Sequence, residues 1–312
     1  HHLRDELARM VSAGFDVAAR IPLRAALFTI DEREHVLAVV VHHISADGFS
    51  MSPLTRDVMI AYEAHAYGGD PQWTPLPVQY ADFALWQREI LGSVDDPGSV
   101  ISEQLAYWRR ALSGAPDLLE LPLDRDRPTQ QSFHGSRIHF SISSDLHRRI
   151  LNVSRQHEST AFMTVHAALA LLLARLGSTD DIVIGTPIAG RGDRALDDLV
   201  GMFVGTLALR TQVDPARSFR ELVEHCREVD LAAFAYSDVP FERVVDAVRP
   251  KRSSAYAPIS SVSLEFQNNK RPILKLPGLE VRGIDPELEV VKVDLEFLLA
   301  EEYDDRGEPG GM

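Results

Sequence analysis

Leu37-Ala38-Val39-Val40-Val41-His42-His43-Ile44-Ser45-Ala46-Asp47-Gly48-Phe49-Ser50 is the stretch that decides how this chain is read. Leu37 to Val41 is short, β-branched and free of polar residues, the pattern of a strand buried on both faces. His42 and His43 leave its end. In extended backbone, neighbouring side chains point to opposite faces, so only one of the two histidines enters a given cavity and the other is packed. Asp47 follows His43 by four residues, and Gly48 can take backbone angles closed to other residues or let a ligand approach closely. A helix is predicted to begin near Ser50 to Pro53, with a serine cap, a proline in the first turn, and Leu54, Val58, Ala61 and Tyr62 on one face. Histidine takes and returns a proton near neutral pH, so one imidazole at this position is a candidate base. A single strand-end histidine is more often a satisfied core residue. The compound pattern His-His-x-x-x-Asp-Gly behind an apolar strand is more specific than that.

Working outward, residues 3–13 read as a helix, and Ile21–Ile30 and Glu34–Val41 as a strand pair joined at Asp31-Glu32-Arg33. Further helices are expected at 53–66, 78–91, 99–112, 144–158, 160–176, 218–235 and 240–248. The helix at 160–176 carries Phe162, Val165, Leu169, Leu172, Leu173 and Leu176 as its core stripe. Strands are expected at 136–143, 181–187, 204–213, 259–267 and 291–301. Residues 121–135, rich in Pro, Asp, Arg and Gln, read as a link between lobes. The charged, Gly-rich tail 304–312 is assigned no structure.

The 312 residues suffice for a large core and favour two lobes. Acidic residues outnumber basic ones by 46 to 32, a formal charge of -14, which disfavours a basic track for nucleic acid. No stretch is long and apolar enough for a membrane span, and the start carries no signal-peptide pattern, so a cytoplasmic location is expected. The single cysteine, Cys226, forms no internal disulfide and reads as a core residue.

Several chemistries can be set aside from the residues. Gly185-Thr186-Pro187-Ile188-Ala189-Gly190 is followed by Arg191 and Gly192 where a phosphate loop needs Lys and Ser or Thr. No Gly-x-Ser-x-Gly elbow supports Ser45 as a nucleophile. Neighbouring strand histidines diverge, and no His-Glu-x-x-His or cysteine cluster completes a metal site with His42, His43 and Asp47. One histidine acting as base or hydrogen-bond donor remains. That fits a reaction between two bound substrates without a covalent enzyme intermediate.

The chain resembles the condensation domain of nonribosomal peptide synthetases. The likeness rests on His42 to Gly48, Tyr80-Ala81-Asp82-Phe83-Ala84-Leu85-Trp86, Gly185 to Arg191, Val200 to Leu207, and Ser237-Asp238-Val239-Pro240-Phe241-Glu242, in the family's order. It implies an α/β fold of two chloramphenicol acetyltransferase-like lobes forming a V, with an active-site tunnel between them. The first lobe would be 1–120, incomplete and bearing the His motif. The link would be 121–135, and the second lobe 136–312, also cut short. Two departures stand out: Gly205 replaces the family's usual asparagine, and 251–258 keeps only a loose version of an Arg-rich motif. The two motifs that normally precede the His motif are absent, so a fragment or truncated copy is expected, with marginal stability and little condensation activity by itself.

For the site, the resemblance implies His43 as the catalytic residue acting on an acceptor amine, with His42, Asp47 and Gly48 in support. It implies no cofactor bound by this domain; phosphopantetheine arms arrive on partner carrier domains, and an adenylation domain is adjacent in the same synthetase. The reaction is amide formation between a donor acyl or peptidyl thioester and an aminoacyl thioester. Rivals are a stand-alone acyl-CoA-dependent acyltransferase, an epimerisation domain, and a non-catalytic docking module. Asp47's family counterpart pairs with an arginine from a motif this chain lacks. Asp47 is therefore expected to be open to solvent, or to be taken over by a basic residue or backbone amides from within the chain.

Overall fold

The computed structural model describes residues 2–267, 276–284 and 289–312. They group into two compact units, one of residues 2–87, 189–204 and 276–284, the other of 88–267 without 189–204, plus 289–312. These units cut the chain elsewhere than the lobes expected at 1–120 and 136–312. Residues 88–120 belong to the second unit because the helix they contain is packed there through Trp108, and 189–204 return to the first.

In the first unit, helix α1 (His2–Ser12) is followed by the antiparallel strands β1 (Leu23–Thr29) and β2 (His35–Val41), in register from Leu23 opposite Val41 to Thr29 opposite His35. Asp31 sets the turn between them, its Oδ1 accepting the N–H groups of Arg33 and Glu34 at 2.7 and 2.8 Å. Arg24 holds the end of α1 by donating to the carbonyls of Met10 and Ala13, and its guanidinium lies 3.7 Å from the centre of the Phe15 ring. Strand β2 is not buried on both faces. Leu37 is 56% and Val39 44% exposed, because β1 and β2 form a ribbon of two strands and every second side chain turns outward. Helices α2 (Met51–Ala66) and α3 (Tyr80–Leu91) follow, the chain passing into the second unit within the last turn of α3. A small core of Leu196, Leu199 and Phe203 packs with Val78, Tyr80 and Phe83.

The second unit is a mixed sheet with helices on it. Helices α4 (Val100–Ala111), α5 (Ser144–Gln156) and α6 (Ala161–Gly177) start at side-chain caps from Ser99, Ser143 and Thr160. Strands β3 (Asp181–Ile188) and β4 (Gly205–Gln212) pair antiparallel. Helix α7 (Phe219–Ala235) opens with a capping box of Ser218 and Glu221, and α8 (Phe241–Val248) follows. Strands β5 (Val262–Phe266) and β6 (Leu295–Leu299) complete the order β4-β3-β5-β6, with β3, β5 and β6 parallel. Strand β3 is buried on both faces as expected. Ile182 and Ile184 meet Ala167, Ala170 and Leu173 of α6 and Val223 of α7, while Val183 faces the cluster of Trp108, Leu209 and Val244. On α6 the buried stripe is richer in alanine than expected, and Leu172 and Leu176 are exposed.

Two further expectations are corrected. Residues 136–143 form no strand: only Ser143 makes a bridge, to Gly311, and Ile138 and Phe140 are exposed. The tail is ordered, with β7 (Glu302–Tyr303) and β8 (Pro309–Gly311) as a hairpin and Met312 exchanging backbone hydrogen bonds with Ile142 at 3.0 and 2.9 Å. The stretch read as a link is fastened within the second unit, Arg127 gripping Asp294 through two hydrogen bonds of 2.9 and 2.6 Å. Gly205 sits opposite Ile188, and a Cβ there would lie 3.2 Å from the Ile188 side chain, which explains why a larger residue needs that side chain to give way.

Candidate functional site

The His motif lies wholly in the first unit. Strand β2 ends at Val41, and the His42 N–H adds one more bond to the hairpin by donating to the Pro22 carbonyl at 2.9 Å. The chain then turns, with the Ser45 N–H and hydroxyl both donating to the His42 carbonyl at 3.0 Å. The two histidines do take different surroundings, through this turn and not through a continuing strand. His42 is half-buried, its ring edge-on to Phe15 with centroids 5.7 Å apart, and its Nδ1 accepts the Ile44 N–H at 3.0 Å. His43 is exposed, with Nδ1 3.1 Å from the Met202 sulfur.

Asp47 is 4% exposed and is not left without partners. Its Oδ1 accepts from the Ser50 N–H at 2.8 Å and from Arg191 Nη2 at 3.1 Å, and its Oδ2 accepts the Phe203 N–H at 3.0 Å. Of the two outcomes expected for Asp47, the second holds: a basic residue and backbone amides from within the chain satisfy it. Burial on its own pushes the carboxyl up. The Phe203 N–H, the hydroxyl and N–H of Ser50 and the charge of Arg191 together outweigh it, so the carboxyl lies below the usual range and is ionised at neutral pH.

Ser50 does not act as the helix cap that its position suggests. It already has helical backbone angles and makes no side-chain cap to α2. Its fully buried hydroxyl instead lies 2.8 Å from Asp47 Oδ1 and 2.9 Å from the Gly201 carbonyl, and it accepts from the Gly201 N–H and Arg191 Nη2, each at 3.1 Å. Arg191 Nη1 donates to the carbonyls of Leu196 and Leu199, and the guanidinium lies 4.1 Å from the centre of the Phe203 ring. Tyr80 donates its hydroxyl to the Met202 carbonyl at 2.7 Å, and burial with the nearby charge of Asp47 keeps that phenol protonated.

Two glycines make this packing possible. Gly190 has φ +64, and a Cβ there would fall 1.9 Å from the Phe203 carbonyl oxygen; one at Gly201 would fall 2.2 Å from the Tyr80 ring. Gly48, by contrast, does not use the left-handed region and is exposed beside the turn. Four motifs far apart in sequence, at 42–50, 80–83, 190–191 and 201–203, therefore converge on one buried carboxylate.

The sequence singles out His42, His43, Asp47 and Gly48 but assigns no role to Arg191, Met202, Phe203 or Tyr80. The available signal was an arginine after a glycine at the end of a buried strand, together with a carboxylate in an apolar setting that needs a cation. Among the described residues no cluster of His, Cys, Asp and Glu could hold a metal, and no single helix is long and apolar enough to cross a membrane.

A family profile described as the condensation domain matches residues 1–304. A dimodular nonribosomal peptide synthase of Bacillus subtilis (strain 168) is 47% identical over 310 residues, 99% of this chain and 13% of that protein. An isonitrile lipopeptide synthase of Mycobacterium tuberculosis is 44% identical over 298 residues, 96% of this chain and 12% of that protein. The chain thus spans about an eighth of these relatives. Among solved structures, the X-domain from teicoplanin biosynthesis has a TM-score of 0.93 and 31% identity, covering 99% of this chain and 69% of that one. The same domain in complex with OxyB gives 0.92 and 31%, covering 99% and 67%.

Proposed function

The chain belongs to the condensation-domain family of nonribosomal peptide synthetases, and from that premise we propose that it joins a donor acyl or peptidyl thioester to an acceptor aminoacyl thioester, His43 acting on the acceptor amine. The observation that carries this reading is an exposed imidazole just past the end of β2, in the same motif as a buried and fully partnered Asp47. A site whose support is fixed and whose working group reaches solvent suits a substrate brought in from outside.

An α-amino group has a pKa of about 8, so near neutral pH much of it is protonated and unable to attack. His43 holds the free amine by hydrogen bond and takes its proton as nitrogen attacks the thioester carbonyl. The tetrahedral intermediate then collapses, the C–S bond breaks, and the thiolate leaves with a proton. Holding both substrates together replaces a bimolecular encounter, which lowers the barrier further. The thioesters arrive on carrier domains, whose phosphopantetheine arms are parts of the substrates here, and an adenylation domain of the same synthetase loads them. The setting is cytoplasmic.

One observation favours a second reading. The chain superimposes well on an X-domain structure determined in complex with OxyB, which fits a module that docks a partner enzyme. Supplying the chain, with its flanking synthetase sequence, with loaded donor and acceptor carrier proteins separates the two. Dipeptidyl thioester detected by mass spectrometry supports condensation; carrier or partner binding without product supports docking.

A further inference from the structure

We propose that Met202 is a positioning residue that holds His43 with its proton on Nδ1, leaving the lone pair on Nε2 as the base. The inference rests on the reading of His43 as the working histidine and adds which nitrogen works and what selects it. The Met202 sulfur lies 3.1 Å from His43 Nδ1. A thioether has no hydrogen to give and accepts only weakly, so the hydrogen in this contact belongs to the imidazole. A neutral imidazole carries a single N–H, and the bond made by one nitrogen sets the state of the other. With Nδ1–H directed at sulfur, Nε2 is unprotonated, and no protein hydrogen bond to it is made among the described residues. The neighbouring His42 is set the opposite way, since its Nδ1 accepts the Ile44 N–H and its proton therefore sits on Nε2.

The sulfur can select a tautomer because its own backbone is held on three successive residues. The Gly201 N–H donates to Ser50 Oγ, the Met202 carbonyl accepts from Tyr80, and the Phe203 N–H donates to Asp47. Asp47 thus reaches His43 indirectly, through residues 201–203, and a role for the motif's aspartate follows without any contact between it and the histidine. In the reaction, the amine proton moves to Nε2 as the C–N bond forms. The imidazolium keeps Nδ1–H on sulfur, and Nε2–H passes its proton to the thiolate sulfur as the C–S bond breaks.

The test is the nitrogen-15 NMR spectrum of the 312-residue chain labelled at histidine, at a pH above the ordinary histidine range, with the His43 signals assigned by their disappearance in His43→Ala. The expected result is Nδ1 in the range of a protonated nitrogen and Nε2 in that of a lone pair, with the majority form reversed in Met202→Leu. A wild-type His43 protonated on Nε2, or a Met202→Leu spectrum unchanged from wild type, overturns the proposal. The wild-type spectrum alone decides if the variant does not fold. Because no turnover is measured, absence of condensation would remove the function while leaving this result standing.

Discussion

Asp47 and Arg191, 144 residues apart in the chain, meet at 3.1 Å with both side chains almost wholly buried. Neither charge is tolerable alone: a buried ion stripped of its partner costs about 3–5 kcal/mol. Asp47→Ala therefore destabilises the first unit by about that amount, and the backbone amides of Gly201 and Phe203 lose protection. Hydrogen exchange read at these two amides checks it; protection equal to wild type would contradict the pairing.

The pH dependence follows from the same carboxylate. Its pKa in the folded chain is lowered, so it contributes stability above the unfolded carboxyl value and loses it as pH falls through the folded value. Asp47→Asn should then lower the unfolding temperature clearly at pH 7. The gap from wild type should begin to narrow below about pH 4, where the unfolded carboxyl takes up its proton, and close as pH falls through the lower folded value. Thermal scans across that range provide the comparison. A gap that stays constant down to strongly acid pH would mean that Asp47 is not ionised in the fold.

Gly190→Ala is expected to be disruptive although only a methyl group is added. The backbone there is left-handed, and the new Cβ meets the Phe203 carbonyl at 1.9 Å, an overlap that only a backbone shift relieves. Overpacking of this kind costs about 1–3 kcal/mol. The shift pulls Arg191 from Asp47, so the loss should shrink in an Asp47→Ala background. Equal losses in both backgrounds would separate Gly190 from the ion pair.

Tyr80→Phe tests the hold on Met202. It removes one hydrogen bond while keeping the ring packed on Phe203, centroids 5.1 Å apart, and should cost about 1 kcal/mol. A larger loss, measured by denaturant titration, would show that the phenol does more than bond the Met202 carbonyl.

What the sequence revealed divides by the range of the interactions. Helix starts at Ser99, Ser143, Thr160 and Ser218 were legible because a cap is made within three residues. The same local rule misassigned Ser50, whose hydroxyl is drawn to Asp47, Gly201 and Arg191 by tertiary packing. Residues 136–143 alternate like a strand, yet a strand needs a neighbour, and at Ser143 the partner is the glycine-rich tail that gave no strand signal of its own. In the site, the His motif was readable as a block. Arg191 is legible as the wrong residue for a phosphate loop and as the end of a family stretch, but nothing local in the sequence shows that it reaches a carboxylate 144 residues away.

The role of His43 is tested most directly by the rate of dipeptidyl thioester formation from loaded donor and acceptor carriers by the chain in its synthetase, for wild type, His43→Ala and His42→Ala. General base catalysis contributes about 10²–10⁴-fold, so His43→Ala should lose a factor in that range with the fold intact. His42→Ala should act through stability, since its ring packs on Phe15 and caps the turn at Ile44. Product formed by folded His43→Ala at the wild-type rate would contradict the account.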